Sequence, residues 1–330
     1  MLKNLWYAVE FGDRIKNRPQ LLKLLDRELV LYRTTDGQIH AIDNTCIHRG
    51  AALANGWVED NCIVCPYHGW QYQPDGTCVK IPANLAKATI PDQAKMTTYP
   101  VREKYGWIWI FIGDLDRLQD IDIPVLPQYE SANFRSIQGE FHWDANYERV
   151  LENGLDFAHA PFVHSGSFGN PDAPEIADFA IDRDDRGASA TVLLAANPPK
   201  GLWKLLASKE RAPIKTRTGF FLPNLTFLEV NLPFGQLIIL TAHVPIDLQT
   251  TVSKWMNFRS FFTGKWADRD AYKRTIKIFE QDKPIVESQR PQIIPIESNA
   301  ELSVAADALQ LEYRKLRRQF RSGASHLLKF

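Results

Sequence analysis

The chain reads as an α+β protein in two parts, and three observations predict this. The first third carries short strand-like runs separated by Gly and Asp turns, as in a small antiparallel β domain. Residues 113–129, GDLDRLQDIDIPVLPQY, are acidic and broken by Pro124 and Pro127, as a segment crossing between domains would be. Beyond them, strand-like segments recur in a run between helical segments, a pattern of α+β and not of a doubly wound sheet. The expected layout is an all-β domain over 1–115, a linker over 116–130 and an α+β domain over 131–330. At 330 residues the chain is long enough for two sizeable cores.

In order, Leu5–Val9 opens the chain, and a strand over Glu28–Arg33 is followed by the hairpin signal Thr35-Asp36-Gly37 and a returning strand at Ile39–Ile42. Short strands continue at Gly69–Tyr72, Tyr99–Val101 and Gly106–Phe111, where Trp107 and Trp109 read as core. The second part opens with a strand near Phe134–Trp143 and a helix from Asn146 to about Ala160. Strands are expected at Ala190–Leu194, Gly219–Leu222, Leu225–Val230, Leu237–His243 and Val252–Met256, and a long helix from Ala267 to about Arg290.

Composition narrows the function. Lys plus Arg and Asp plus Glu are balanced at 39 each, which gives no electrostatic case for nucleic acid or an anionic membrane surface. No apolar run reaches the length of a membrane span, and the first residues lack the apolar core of a signal peptide. Four cysteines do not make a disulfide scaffold and suit a reducing compartment, so a soluble, cytoplasmic protein is expected.

Residues 44–70, NTCIHRGAALANGWVEDNCIVCPYHGW, concentrate the chemistry. Cys46 and His48 form one ligand pair, Cys65 and His68 another, with sixteen residues between them. A tetrahedral zinc held by all four competes with a 2Fe–2S cluster held by two Cys on one iron and two His on the other. Each half supplies one Cys and one His, which favours the cluster, because a zinc finger usually groups its cysteines apart from its histidines. Gly50 and Gly69 allow backbone conformations a Cβ would forbid, so the loop amides could turn toward the sulfides. Cys62, in the apolar run NCIVC, and Cys78 read as small buried hydrophobes.

CxHRG…CPYHGW closely resembles the Rieske signature of ring-hydroxylating oxygenases. The resemblance implies that Cys46 and Cys65 hold the inner iron and His48 and His68 the outer one. It also implies that the second domain is a helix-grip (Bet v1/START-like) fold, an antiparallel sheet gripping a long helix around a ligand cavity.

A second metal site is indicated by ENGLDFAHAPFVH, residues 152–164. Asp156 and His159 are three apart and would share a helix face. His164 is five beyond His159, about 140° round an ideal helix, so the two converge only if the helix ends or bends. Pro161 disfavours helix at Ala160 and is expected to do this. Two His with one carboxylate form the facial triad of non-haem Fe(II) oxygenases, with positions left for O2 and substrate. Spacing alone does not choose the third ligand among 39 acidic residues.

N-x-x-D-x-x-H-x4-H also matches the catalytic iron motif of the Rieske oxygenases, and the resemblance implies His159 and His164 as ligands. It places an acid in a C-terminal segment similar to FEQDKPIVESQ, residues 279–289, and so implies Asp282, with Glu280 and Glu287 as fallbacks. Asp156 is implied to bridge His68 of a neighbouring subunit to His159, which requires a closed ring of subunits, the family's homotrimer. Asn153 is implied to sit near the iron without tight ligation. Glu152, His40, His142, His243 and His326 have no motif to claim them and are expected to fill ordinary surface or core roles.

The function this implies is a terminal oxygenase. Electrons arrive singly from a ferredoxin or flavin-dependent reductase, since the chain has no Gly-rich dinucleotide fingerprint of its own. They serve O2-dependent hydroxylation or oxidative demethylation of a small organic substrate at a mononuclear Fe(II). Arg49 and other bases near the cluster loops could dock an acidic ferredoxin. Length and single-chain layout resemble the monooxygenase and demethylase branch, which includes vanillate and dicamba O-demethylases, and place cis-dihydroxylation second. A cluster protein that only carries electrons or senses redox state is the alternative of another class; the His159/His164 pair argues against it.

Overall fold

The computed structural model describes residues 2–85, 87–177, 179–195, 213–296 and 300–321; His326 lies outside them. The chain divides into two compact units, one of Lys3–Ile123 with Pro245–Asp247, the other of Pro124–Val244 with Leu248 onward.

The first unit is all β. Its strands are β1 (Leu5–Phe11), β2 (Gln20–Leu24), β3 (Arg27–Arg33), β4 (Ile39–Asp43), β5 (Trp57–Glu59), β6 (Cys62–Val64), β7 (Gln71–Tyr72), β8 (Cys78–Lys80), β9 (Thr98–Tyr99), β10 (Val101–Lys104) and β11 (Trp107–Ile112). They form three sheets, ordered β1-β11-β10, β2-β3-β4-β9 and β5-β6-β7-β8, with antiparallel pairing. β11, WIWIFI, is the centre of its sheet and wholly buried. A strand covered on both faces reads as a continuous apolar run rather than an alternation. Trp107 and Trp109 are core, as expected. Cys62 and Cys78 are buried in β6 and β8. The core beneath the third sheet includes Tyr32, Leu53, Ile63 and Tyr72 together with Cys46 and Cys65, so the two cysteines of the motif sit on packed apolar ground.

The second unit is built on a seven-stranded sheet ordered β12-β18-β17-β16-β15-β14-β13. Its elements are α1 (Pro127–Glu130), β12 (Arg135–Trp143), α2 (Tyr147–Leu155), α3 (Ala160–Val163), β13 (Ile181–Arg183), β14 (Gly187–Leu194), β15 (Ile214–Phe221), β16 (Leu225–Leu232), β17 (Gly235–Pro245), β18 (Thr251–Arg259), α4 (Asp268–Ser288) and α5 (Ala308–Arg321). The 21-residue α4 packs on β12 and β18. Gly139 of β12 makes that close approach possible: a Cβ there would meet Trp255 Cζ2 at 2.4 Å and Tyr272 Cε2, on α4, at 2.8 Å. This is the α+β, helix-on-sheet arrangement the sequence predicts.

One expectation fails. The helix from Asn146 does not run to Ala160 but stops at Leu155, and a separate turn of helix begins at Ala160. Asn146 caps the start, its Oδ1 accepting from Glu148 N at 3.0 Å. Asp156 ends it: its backbone is extended (φ −83°, ψ 121°) and its Oδ1 accepts from Ala158 N at 2.7 Å. That local bond offers the backbone an alternative to the next helical turn. Asp156 and His159 therefore do not share a helix face. Pro161 is not the terminator; it lies in the first turn of α3, where its missing N–H costs nothing.

Among the described residues no helix is long and apolar enough to cross a membrane.

Candidate metal centres

In the first unit two loops of the same construction face each other. Cys46 N donates to Ala51 O at 2.9 Å and Gly50 N to Cys46 O at 2.8 Å. Cys65 N donates to Trp70 O at 2.8 Å and Gly69 N to Cys65 O at 3.0 Å. Each loop closes on a glycine in the left-handed region, Gly50 at φ 73° and Gly69 at φ 68°, as their residue type predicts. The cysteines are buried, while His48 is half-buried and His68 exposed. The His48 and His68 rings lie 4.6 Å apart, and His48 stacks on Trp70 at 4.4 Å and 9°.

The electrostatics suit metal ligation. Burial holds the Cys65 thiol above its usual range. Burial, with His68 and Arg49 adding to it, lowers the His48 pKa and so favours the neutral ring that a ligand presents. Tyr72 Oη lies 3.1 Å from Cys46 Sγ, placed to donate to a thiolate. His48 Nδ1 is buried with no hydrogen-bond partner, a nitrogen that a metal would satisfy.

In the second unit His159, His164 and Asp282 converge. His159 Nε2 is 3.2 Å from His164 Nε2, and Asp282 Oδ1 is 3.4 Å and 3.3 Å from the two nitrogens. Ligands about 2.1 Å from one ion and at right angles to each other are about 3.0 Å apart, so the trio is shaped for one face of an octahedron. Among the described residues this is the one group of three or more whose ligand atoms all lie within 4.8 Å of one another. The Cys46, His48, Cys65 and His68 set is not so tight, which disfavours a single tetrahedral zinc and suits a two-iron core. Burial resists a charge on His159, but Asp282 and Asp156 outweigh it and raise its pKa; burial lowers that of His164.

The fallback acids are elsewhere. Glu280 is exposed, and Glu287 accepts from Asp144 N at 2.7 Å. Asp156 Oδ2 lies 3.8 Å from His159 Nδ1.

The family comparison matches both halves. Residues 5–100 match the Rieske [2Fe-2S] domain, and residues 143–322, more than half of the chain, match the vanillate O-demethylase oxygenase C-terminal domain.

The chain belongs to the Rieske oxygenases.

This Rieske oxygenase is 31% identical to the methylxanthine N1-demethylase of Pseudomonas putida, over 92% of this chain and 83% of that one. It is 28% identical to the toluene-4-sulfonate monooxygenase system iron-sulfur subunit of Comamonas testosteroni, over 93% of each. Its fold superposes on Pseudomonas putida CBB5 NdmA with caffeine at a TM-score of 0.83, with 27% identity, covering 97% of this chain and 91% of that one. The structure of dicamba monooxygenase bound to dicamba has the same fold, at a TM-score of 0.81. The chain is thus the terminal component of a Rieske oxygenase, an oxidoreductase with a 2Fe–2S cluster and a mononuclear iron, which inserts oxygen from O2 into a small substrate and depends on an electron-transfer partner.

His159, His164, Asp282, Asn153 and Asp156 all line a cavity of about 760 Å³. Residues alternate along β15, β16 and β17 to face it, including Leu228, Val230 and Ile239 but also Thr216, Thr218 and Thr226.

Sequence reasoning missed two supports of this Rieske oxygenase's second site. Gln281 Oε1 lies 3.1 Å from His164 Nδ1 and accepts from Ser167 Oγ at 3.2 Å. That contact leaves His164 Nε2 free to ligate. The other support lies under α2, where Glu148, Arg149 and Glu152 are buried charges. Glu148 pairs with Arg317 and Glu152 with Arg314, both on α5, while Arg149 reaches Glu301 at 2.6 Å. Glu152 is thus a core residue, as is His243; His142 is exposed.

Proposed function

We propose that Cys46 and Cys65 hold the inner iron of the cluster, His48 and His68 the outer, and that His159, His164 and Asp282 hold the mononuclear iron. The observation carrying this reading is the convergence of the three ligand atoms at 3.2–3.4 Å on the wall of a largely apolar cavity. When bound, the cluster supplies electrons one at a time and the mononuclear Fe(II) supplies the centre that activates O2.

The chain's own residues do the rest. Gln281 holds His164 in the tautomer that presents Nε2. Asp156 is half-buried beside His159, with Oδ2 3.8 Å from His159 Nδ1, a nitrogen that has no hydrogen-bond partner among the described residues; a small approach lets the carboxylate accept from that N–H and, across a subunit boundary, from an imidazole N–H of a neighbour's His68, so one carboxylate orients both centres. That arrangement closes as a ring, and the assembly is a homotrimer. Asn153, one turn before Asp156, faces the cavity near the iron and positions substrate without ligating. A ferredoxin or flavin-dependent reductase docks near the cluster loops, where the exposed Arg49 offers a positive charge. The protein works in the cytoplasm.

Relatives that are an N1-demethylase and a monooxygenase subunit favour monooxygenation or demethylation over cis-dihydroxylation. Reductase-dependent O2 uptake, stimulated by small apolar compounds, tests this by product mass. One added oxygen, or a lost methylene, is expected. Two added oxygens on one ring overturn the ordering, and a cluster reduced and reoxidised with no compound ever altered leaves only electron carriage.

A further inference from the structure

Four side chains in the second unit form a hydrogen-bonded chain whose direction is fixed by what each group can donate. Trp143 Nε1 donates to Ser253 Oγ at 2.9 Å, Ser253 Oγ lies 2.9 Å from His243 Nδ1, and His243 Nε2 lies 2.9 Å from Thr226 Oγ1. An indole N–H only donates. Ser253 is fully buried, so its own hydrogen needs an acceptor, and His243 Nδ1 is the one in reach among the described residues. Nδ1 therefore accepts. Burial drives the His243 pKa down to about 3, so the ring is neutral and carries its hydrogen on Nε2. That hydrogen goes to Thr226 Oγ1. Thr226 is then left with a hydroxyl hydrogen that no described residue accepts, on a side chain that lines the cavity.

We propose that Thr226 is a specificity-determining residue, whose hydroxyl donates to a neutral carbonyl or ether oxygen on an otherwise apolar substrate. This deepens the reading of the cavity as the oxygenation site and rests on it. An unpaired hydroxyl donor in an apolar wall favours a ligand that can accept from it, because an analogue without the oxygen leaves the donor unsatisfied. A carboxylate is a poor fit. Of the cations among the described residues that line the cavity, Arg259 is buried and paired with Asp268 at 2.5 Å, with its Nη1 left without a partner, Arg274 is paired with Asp270 at 2.6 Å, and Lys277 is exposed. A carboxylate held at Thr226 would exchange its hydration for a single hydroxyl, and one drawn instead to Arg259 Nη1 would show as tighter binding of 4-methylbenzoate than of the ketone.

The test is equilibrium dialysis of the iron-loaded protein against three compounds of one shape: 4-methylacetophenone, its hydrocarbon counterpart 4-isopropyltoluene, and 4-methylbenzoate. Fluorenone and fluorene form a larger pair. Thr226→Val keeps the volume and removes the hydroxyl; Thr226→Ser keeps the hydroxyl. The expected result is that T226V shifts the ketone-to-hydrocarbon affinity ratio against the ketone by about tenfold, while T226S holds it within about twofold. Nitrogen-15 NMR of the histidines reads the chain independently and should find His243 protonated at Nε2. A ratio unmoved by T226V, no binding of either ketone, tighter binding of 4-methylbenzoate than of the ketone, or an Nδ1–H tautomer would each overturn the proposal. Dialysis needs neither electrons nor O2. A ketone that binds through Thr226 and is never oxidised therefore counts against the cavity as oxygenation site, and not against Thr226.

Discussion

His164 and Gln281 are joined through the ring nitrogen that faces away from Asp282: Nδ1 lies 3.1 Å from Gln281 Oε1, while Nε2 on the other side lies 3.3 Å from Asp282 Oδ1. One stretch of α4 thus supplies a proposed ligand, Asp282, and the group that orients a second proposed ligand, His164. Gln281→Leu keeps the bulk and removes the acceptor. It should weaken iron binding by about 10- to 100-fold. Competition for iron by a chelator of known affinity measures this, and an unchanged affinity would return Gln281 to a merely structural role.

Asp156→Asn should leave both metals bound. An amide has one acceptor oxygen, and its NH2 opposes a ring N–H that needs to donate. Turnover should fall at least about 100-fold. Rapid mixing of the reduced protein with O2 and a substrate follows cluster reoxidation directly, and a rate near that of the wild type would remove Asp156 from the path.

The pair Glu148–Arg317 is almost fully buried on both sides, at 2% and 1% side-chain exposure. Arg317→Met strands the Glu148 carboxylate, with only Arg321 among the described residues, 3.6 Å away and partly exposed, to compensate. The expected loss is about 3–5 kcal/mol of unfolding free energy, and the double variant E148M/R317M should recover most of it. Chemical denaturation checks both.

Asp268 holds β12, β18 and the start of α4 together through Arg135 and Arg259. Hydrogen bonds from Arg135 and then Arg259 hold its pKa down to about 2. A depressed carboxylate stabilises the fold above its unfolded value, near pH 4, and that contribution disappears as the pH falls toward 2. Asp268→Asn should lower the melting temperature at neutral pH and flatten its decline between pH 4 and 2. An equal decline in both proteins would contradict the assignment.

Much of the site was legible because ligand chemistry is carried by residue type at short spacing. Cys46, His48, Cys65 and His68 lie in two local loops, and Gly50 and Gly69 announce the left-handed turns that close them. The strands were legible wherever apolar residues clustered between turns. The end of α2 was not, because a single side-chain bond from Asp156 to Ala158 outweighs helical propensity, and because Pro161 can stop a helix or start one. Gln281 stood next to Asp282, but only the fold shows that its amide reaches a ring more than a hundred residues away in sequence. The same holds for Glu148 with Arg317 and for the chain from Trp143 to Thr226, whose partners come from separate strands and helices and leave no local pattern.

The most direct measurement is the iron content of Asp282→Ala beside the wild type, each reconstituted without air, with the low-temperature EPR spectrum of the reduced cluster taken on the same samples. The account predicts about three irons per chain for the wild type and about two for the variant, with an unchanged Rieske signal in both. A variant that still holds three irons, or a wild type that never exceeds two, would contradict it.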